Sequence, residues 1–268
     1  MTKDAAGSIR VGIGGWTFAP WRGAFYPDKL PQKRELEYAS HHLTSIEING
    51  TYYGSQKPAS FIKWRDETPD DFVFSLKAPR FATNRKVLAE AGSSIGRFFD
   101  SGVMELGDKL GPINWQFATS KAFDPADFEA FLELLPKQID GRAIRHVVEV
   151  RHASFQAPAF VDLVRKHGVA VVIAGDSEFP LIADVTAPFV YVRAMGTMET
   201  EGAGYSNADL DRWAARAETW AAGGAPDDLE LIGDPQKASG PRDVFLYVIS
   251  GYKPANPAAA MALIDRVG

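Results

Sequence analysis

The residues best suited to chemistry in this 268-residue chain stand at the ends of apolar runs. In VVEVRH (147–152), valines suited to a buried strand give way to Glu149, Arg151 and His152. Side chains alternate across a strand, so Glu149 and Arg151 share one face while Val148 and Val150 share the other. The same change of character recurs along the chain. Glu47 and Asn49 close TSIEIN (44–49), Lys77 closes FVFSLK (72–77), and Gln116 lies in INWQF (113–117). Asp176 follows VAVVIAG (169–175), and Arg193 lies in FVYVRA (189–194). Three acids and three bases so placed are costly to desolvate unless paired. They could form a structural lattice of ion pairs. They could equally line a pocket in which Lys77, Arg151 and Arg193 hold an anionic group while Glu149, Glu47 or Asp176 serves as general acid or base.

Other residues extend these two readings. His152, one position past Arg151, should point away from that face unless the strand has already ended. The loop GWTFAPWRGAFYPDKLPQ (15–32) is rich in aromatic residues, and Tyr52 and Tyr53 follow the second run. Such rings either form a binding wall, for which Trp16 and Tyr52 are the candidates, or cover the site as a small satellite core. Glu47, Glu149, Asp176 and His152 could in principle supply oxygen and nitrogen ligands to a metal. Three basic residues in the same ring would offset the negative charge that a divalent ion needs, so the expectation is a site with no obligatory metal and no cofactor.

The elements that must position these residues are short β-type runs alternating with helical spacing, which argues for βα units and a parallel sheet. The predicted strands are 10–14, 44–49, 72–77, 113–117, 146–150, 169–175, 189–194 and 244–250. Helical segments are predicted at 33–41, 58–66, 93–106, 124–135, 157–167, 207–222 and 255–267, and the connection 176–188 is too short for a full helix. Asp124-Pro125 and Ser206-Asn207 read as helix starts. Eight such strands fit a single (β/α)8 TIM-type barrel over 9–268, preceded by a loose tail at 1–8. GIGGW after the first strand lacks the GxGxxG spacing of a dinucleotide fold. In a barrel, the polar residues above gather at the C-terminal mouth.

Composition bounds the partners. A formal net charge of −5 gives no general attraction for a phosphate backbone, which disfavours non-specific nucleic-acid binding. The absence of cysteine removes disulfides, thiol catalysis and thiolate metal sites together. MTKDAAGSIR has no apolar core of the signal-peptide kind and no run approaches the length of a membrane span, so the expectation is a cytoplasmic protein whose partner is a small molecule.

Several motifs are specific enough to resemble a known family. They are GGW with W-x-G-x-FYP (14–27), EINGTYY (47–53), LGP (110–112) with Gln116, VEVRH-x-S (148–154), Asp176, and YVR-x-x-G (191–196). The sequence from about Val11 to the last helix resembles the YecE-like family, domain of unknown function 72. The resemblance implies one TIM-type barrel, and it matches polar positions at Glu47, Asn49, Lys77, Gln116, Glu149, Arg151, His152, Asp176 and Arg193. The chain departs from that pattern at Phe117-Ala118-Thr119, where Leu-Pro-Pro is usual. Asn84 and Met195 each replace a histidine, and Ser250-Gly251 replaces a pair of asparagines. The reading is of a barrel, enzyme or ligand-binding, for a small polar and anionic molecule. The alternatives are a metal-dependent hydrolase of phosphodiesters or sugar phosphates, and a non-catalytic binding protein.

Overall fold

The computed structural model describes residues 7–236 and 240–268. Eight parallel strands close into a barrel: β1 (Ile9–Gly14), β2 (Ser45–Ile48), β3 (Val73–Lys77), β4 (Leu110–Gln116), β5 (His146–Glu149), β6 (Ala170–Gly175), β7 (Phe189–Ala194) and β8 (Asp243–Val248). Each strand pairs with its neighbours in sequence, and β8 pairs with β1 from Ile9↔Val244 to Ile13↔Val248, which closes the ring. All eight expected strands are present. The connection after β6 carries no helix, as its length predicts.

Alternation sorts each strand between two environments. Val11, Ile13, Ile46, Ile48, Phe74, Leu76, Ile113, Trp115, Val148, Val171, Ile173, Val192, Leu246 and Val248 face the surrounding helices and join the main core. Val147, Ala170, Val172, Phe189, Tyr191, Phe245 and Tyr247 form a separate cluster that fills the lower lumen. Two hydroxyl pairs cross the lumen above it, Ser45 with Tyr247 at 2.7 Å and Ser75 with Tyr191 at 2.8 Å. Among the described residues, the lumen is therefore filled below its C-terminal end.

The helices follow the expected starts. Asp124 accepts hydrogen bonds from the amides of Ala126 and Asp127, and Ser206 accepts one from that of Asp209. The helix expected over 93–106 instead covers Gly92–Asp100. The chain turns at Gly102 (φ 102°), and a 3-10 stretch, Val103–Lys109, leads into β4. The loose tail expected at 1–8 must be shortened at its inner end. The Gly7 amide donates to the Ala221 carbonyl, and Ser8 donates to Asp243 through both its amide and its hydroxyl. Residues 1–6 of that tail lie outside the described residues. No helix among the described residues is long and apolar enough to cross a membrane.

Candidate functional site at the barrel mouth

The lumen residues one step above the hydroxyl pairs are charged. Arg193 on β7 donates through one terminal nitrogen to Glu149 Oε1 (2.7 Å) and through the other to Glu47 Oε1 (3.2 Å). It thereby ties β5 to β2 across the barrel. Tyr191, two residues before Arg193 and so on the same face, donates to Glu47 Oε2 at 2.6 Å. Asn114 on β4 donates to Glu149 Oε2 (3.0 Å) and to Glu47 Oε2 (3.4 Å). Glu47, Glu149 and Arg193 are 0%, 1% and 3% exposed, so this inner group is closed to water.

A second layer lies nearer the solvent. Arg151 donates through Nε to Glu149 Oε1 at 2.8 Å and through a terminal nitrogen to Gln116 Oε1 at 2.9 Å. Its guanidinium lies 4.2 Å from the ring centre of Phe179, and its side chain is 20% exposed. The Lys77 amine donates to the same Gln116 oxygen and lies 4.6 Å from the ring centre of Tyr52. Gln116 reaches the Tyr52 hydroxyl at 3.5 Å. No carboxylate among the described residues lies within ion-pair distance of Lys77.

The electrostatics separate the two layers. Burial alone would raise the Glu149 carboxyl, but Arg193, Arg151 and Lys77 outweigh it and hold the group at about 2. Burial opposes the charge on Arg193, yet Glu149 and Glu47 raise its affinity for the proton above the ordinary value. Lys77 moves the other way: burial first, and then the nearby Arg193, lower its amine to about 8. Tyr191 is driven well up by burial and by Glu47, so its hydroxyl remains a donor. Two carboxyl side chains, Glu47 and Glu149, face three basic ones, Lys77, Arg151 and Arg193, so by formal count the mouth holds one more base than acid.

Of the residues singled out from sequence, Glu47, Lys77, Gln116, Glu149, Arg151, Arg193 and Tyr52 come together here. Three do not. Asp176 adopts φ 53° just after β6, and its carboxylate accepts from Trp213 Nε1 at 2.8 Å, on the helix-facing side. Gly175 makes this possible, because a Cβ there would lie 2.2 Å from the Trp213 ring. His152 follows the end of β5, and its ring pairs with Ser154 Oγ at 2.8 Å while capping a 3-10 turn. Trp16 packs edge-on against Trp64 and Phe74, so it covers the main core instead of walling the mouth. Asn49 is half-buried ahead of the short helix Gly50–Tyr53. Among the described residues, no three His, Asp or Glu side chains are grouped so as to hold a metal ion.

Sequence reasoning missed Asn114 and Tyr191. The signal was available, since each lies two residues before a residue already chosen, Gln116 and Arg193, and shares its face. Phe179 had no such signal, because it sits in an irregular connection.

The comparisons with known proteins agree with this architecture. The chain is 28% identical over 152 residues to the UPF0759 protein YecE of Escherichia coli (strain K12), a match covering 56% of this chain. By that match the chain spans about half the length of the curated relative, 50%. A shorter stretch of 70 residues is 31% identical to the UPF0759 protein YunF of Bacillus subtilis (strain 168), covering 26% of this chain and 24% of that one. Among solved structures, a DUF72 family protein from Thermotoga maritima superposes with a TM-score of 0.70 at 22% identity, covering 96% of this chain and 97% of its own. SacUVDE superposes with a TM-score of 0.56 at 10% identity, covering 96% and 97%; both structural likenesses concern the fold. The pattern of the family described as "Protein of unknown function DUF72" matches residues 10–268, nearly the whole chain, and the chain belongs to that family.

Proposed function

We propose that the barrel mouth binds a small anion, the phosphate or carboxylate of a polar molecule, between Lys77 and Arg151. The observation that carries this reading is the division of the cluster. Glu47 and Glu149 are held by Arg193, Asn114 and Tyr191, whereas Lys77 has no carboxylate within ion-pair distance among the described residues, and Arg151, which also pairs with Glu149, retains partial exposure. A cation raised above a buried ion-pair network, with a second guanidinium sharing its hydrogen-bond acceptor, suits an oxyanion that accepts from both. Glu149, held at about 2, is a poor general acid, so proton transfer to a bound molecule falls to Lys77, whose amine is lowered to about 8. The metal-dependent alternative needs convergent donors. Asp176 and His152 are turned away from Glu47 and Glu149, whose oxygens already accept from cations and amides.

Calorimetric titration of inorganic phosphate and of succinate into the wild type and Lys77→Met tests the proposal. One saturable site is expected in the wild type, weakened about ten-fold or more in a variant that unfolds at a similar temperature, since a charge-assisted hydrogen bond is lost. Absence of saturable binding of either anion to the wild type would overturn it.

A further inference from the structure

The rim beside the mouth carries an arrangement that the anion site does not use. Among the described residues, the large hydrophobic side chains most exposed to water are Tyr53 (67%), Phe81 (60%), Val87 and Met198. Three of the four follow β2 and β3, the strands that supply Glu47 and Lys77. Tyr53 meets Tyr52 edge-on at 5.1 Å between ring centres, and Tyr52 is the ring beside the Lys77 amine. Arg80 lies next to both exposed rings, 6.0 Å from the centre of Tyr53 and 5.5 Å from that of Phe81. An unbroken sequence of contacts thus runs from the buried lysine to two solvent-facing rings with a guanidinium beside them.

The charged side chains that line the neighbouring cleft are all basic. The adjoining cleft, of about 630 Å³, is lined by Arg85, Lys86, Ser120 and Lys121 among others. Lys121 is 3.7 Å from Asp127, and Arg85 donates to the Phe81 carbonyl and to Ser94, whereas Arg80 and Lys86 form no ion pair among the described residues. Exposed aromatic rings flanked by an arginine suit a flat π-system, because a ring face can stack on the aromatic groups and on the guanidinium plane.

We infer that Tyr53, Arg80 and Phe81 form a stacking platform for the base of a nucleotide whose phosphate occupies the mouth between Lys77 and Arg151. The inference rests on the anion-binding reading of the mouth and adds a substrate class to it. The net charge of −5 fits a mononucleotide better than a long polyanion, since the positive surface is local.

The test is equilibrium titration of AMP, GMP, CMP, UMP and inorganic phosphate, each separately, into the wild type and into the double variant Tyr53→Ala/Phe81→Ala. Both substituted side chains are exposed, and thermal unfolding checks that the fold survives. At least one nucleotide is expected to bind the wild type about ten-fold more tightly than phosphate, the order of one base stacked on an aromatic ring. The double variant should lose that advantage while its affinity for phosphate stays unchanged. Nucleotides that bind no better than phosphate, or an advantage that survives both substitutions, would overturn the platform and leave the anion site standing. Failure of the wild type to bind any of the five would remove the mouth reading and the platform with it.

Discussion

The inner and outer halves of the mouth are built from the same few side-chain types, and they differ in what they leave unmatched. In the inner half, one guanidinium serves two carboxylates, an amide and a phenol take up the remaining carboxylate oxygens, and no member is more than a few per cent exposed. In the outer half, Lys77 and Arg151 converge on one neutral oxygen of Gln116, and Arg151 reaches solvent. A buried network whose carboxylate oxygens all have donors fixes the geometry of strands that are far apart in sequence. The cationic excess above it is where an anion gains most. Structure and binding are thus stacked along the barrel axis, one residue pair above the other.

The largest effect that could break this comparison is expected from Arg193→Met. Removing the shared guanidinium leaves Glu47 and Glu149 buried together without their main cation, and stability should fall by about 3–5 kcal/mol in denaturant unfolding. A loss below about 1 kcal/mol would mean that the inner half is solvated and that the two halves do not differ in kind.

A smaller effect sharpens the outer half. Lys77 binds its proton less tightly than an ordinary lysine, with its amine at about 8, so raising the pH through that value removes one positive charge from the mouth. Sulfate, whose own charge is constant in this range, should bind about ten-fold more weakly at pH 9.5 than at pH 7, as expected when binding favours the protonated amine. In Lys77→Met the same titration should be nearly flat. A wild-type affinity independent of pH would show that Lys77 does not face the anion.

The smallest effect is expected outside both halves. Asp176→Asn should change phosphate affinity by less than about two-fold, as a surface substitution away from the bound group does. It should act on packing against the helix Asn207–Ala221 through a weaker bond from Trp213, whose acceptor changes from a carboxylate to a neutral amide oxygen. A large loss of anion affinity would return Asp176 to the mouth.

How much of this was legible in the sequence follows from what each signal measures. The strands were legible because their apolar runs and spacing record burial, and alternation then gave the lumen face of Glu47, Lys77, Gln116, Glu149, Arg151 and Arg193. Alternation holds only while the backbone stays extended. Asp176 turns at positive φ, so phase does not predict its side chain, whereas His152, on extended backbone one step out of phase with Arg151, pairs with Ser154 outside the cluster as alternation expects. Trp16 was ambiguous for a different reason: aromatic content marks a ring's need for cover, and Trp64 and Phe74 provide it. The pairing of Tyr191 with Glu47 joins β7 to β2, a contact across the lumen that only the closed barrel defines.

The separation of lock from grip is tested most directly at Arg151, the residue that touches both halves. Denaturant unfolding of wild type and Arg151→Met, each with and without phosphate, reads the two roles at once. Glu149 retains Arg193 and Asn114 in the variant, so without phosphate the loss should be about 1 kcal/mol or less. Phosphate should stabilise the wild type through its binding to the folded state and should stabilise the variant far less. A loss of about 3–5 kcal/mol, with phosphate acting equally on both proteins, would make Arg151 part of the lock and contradict the account.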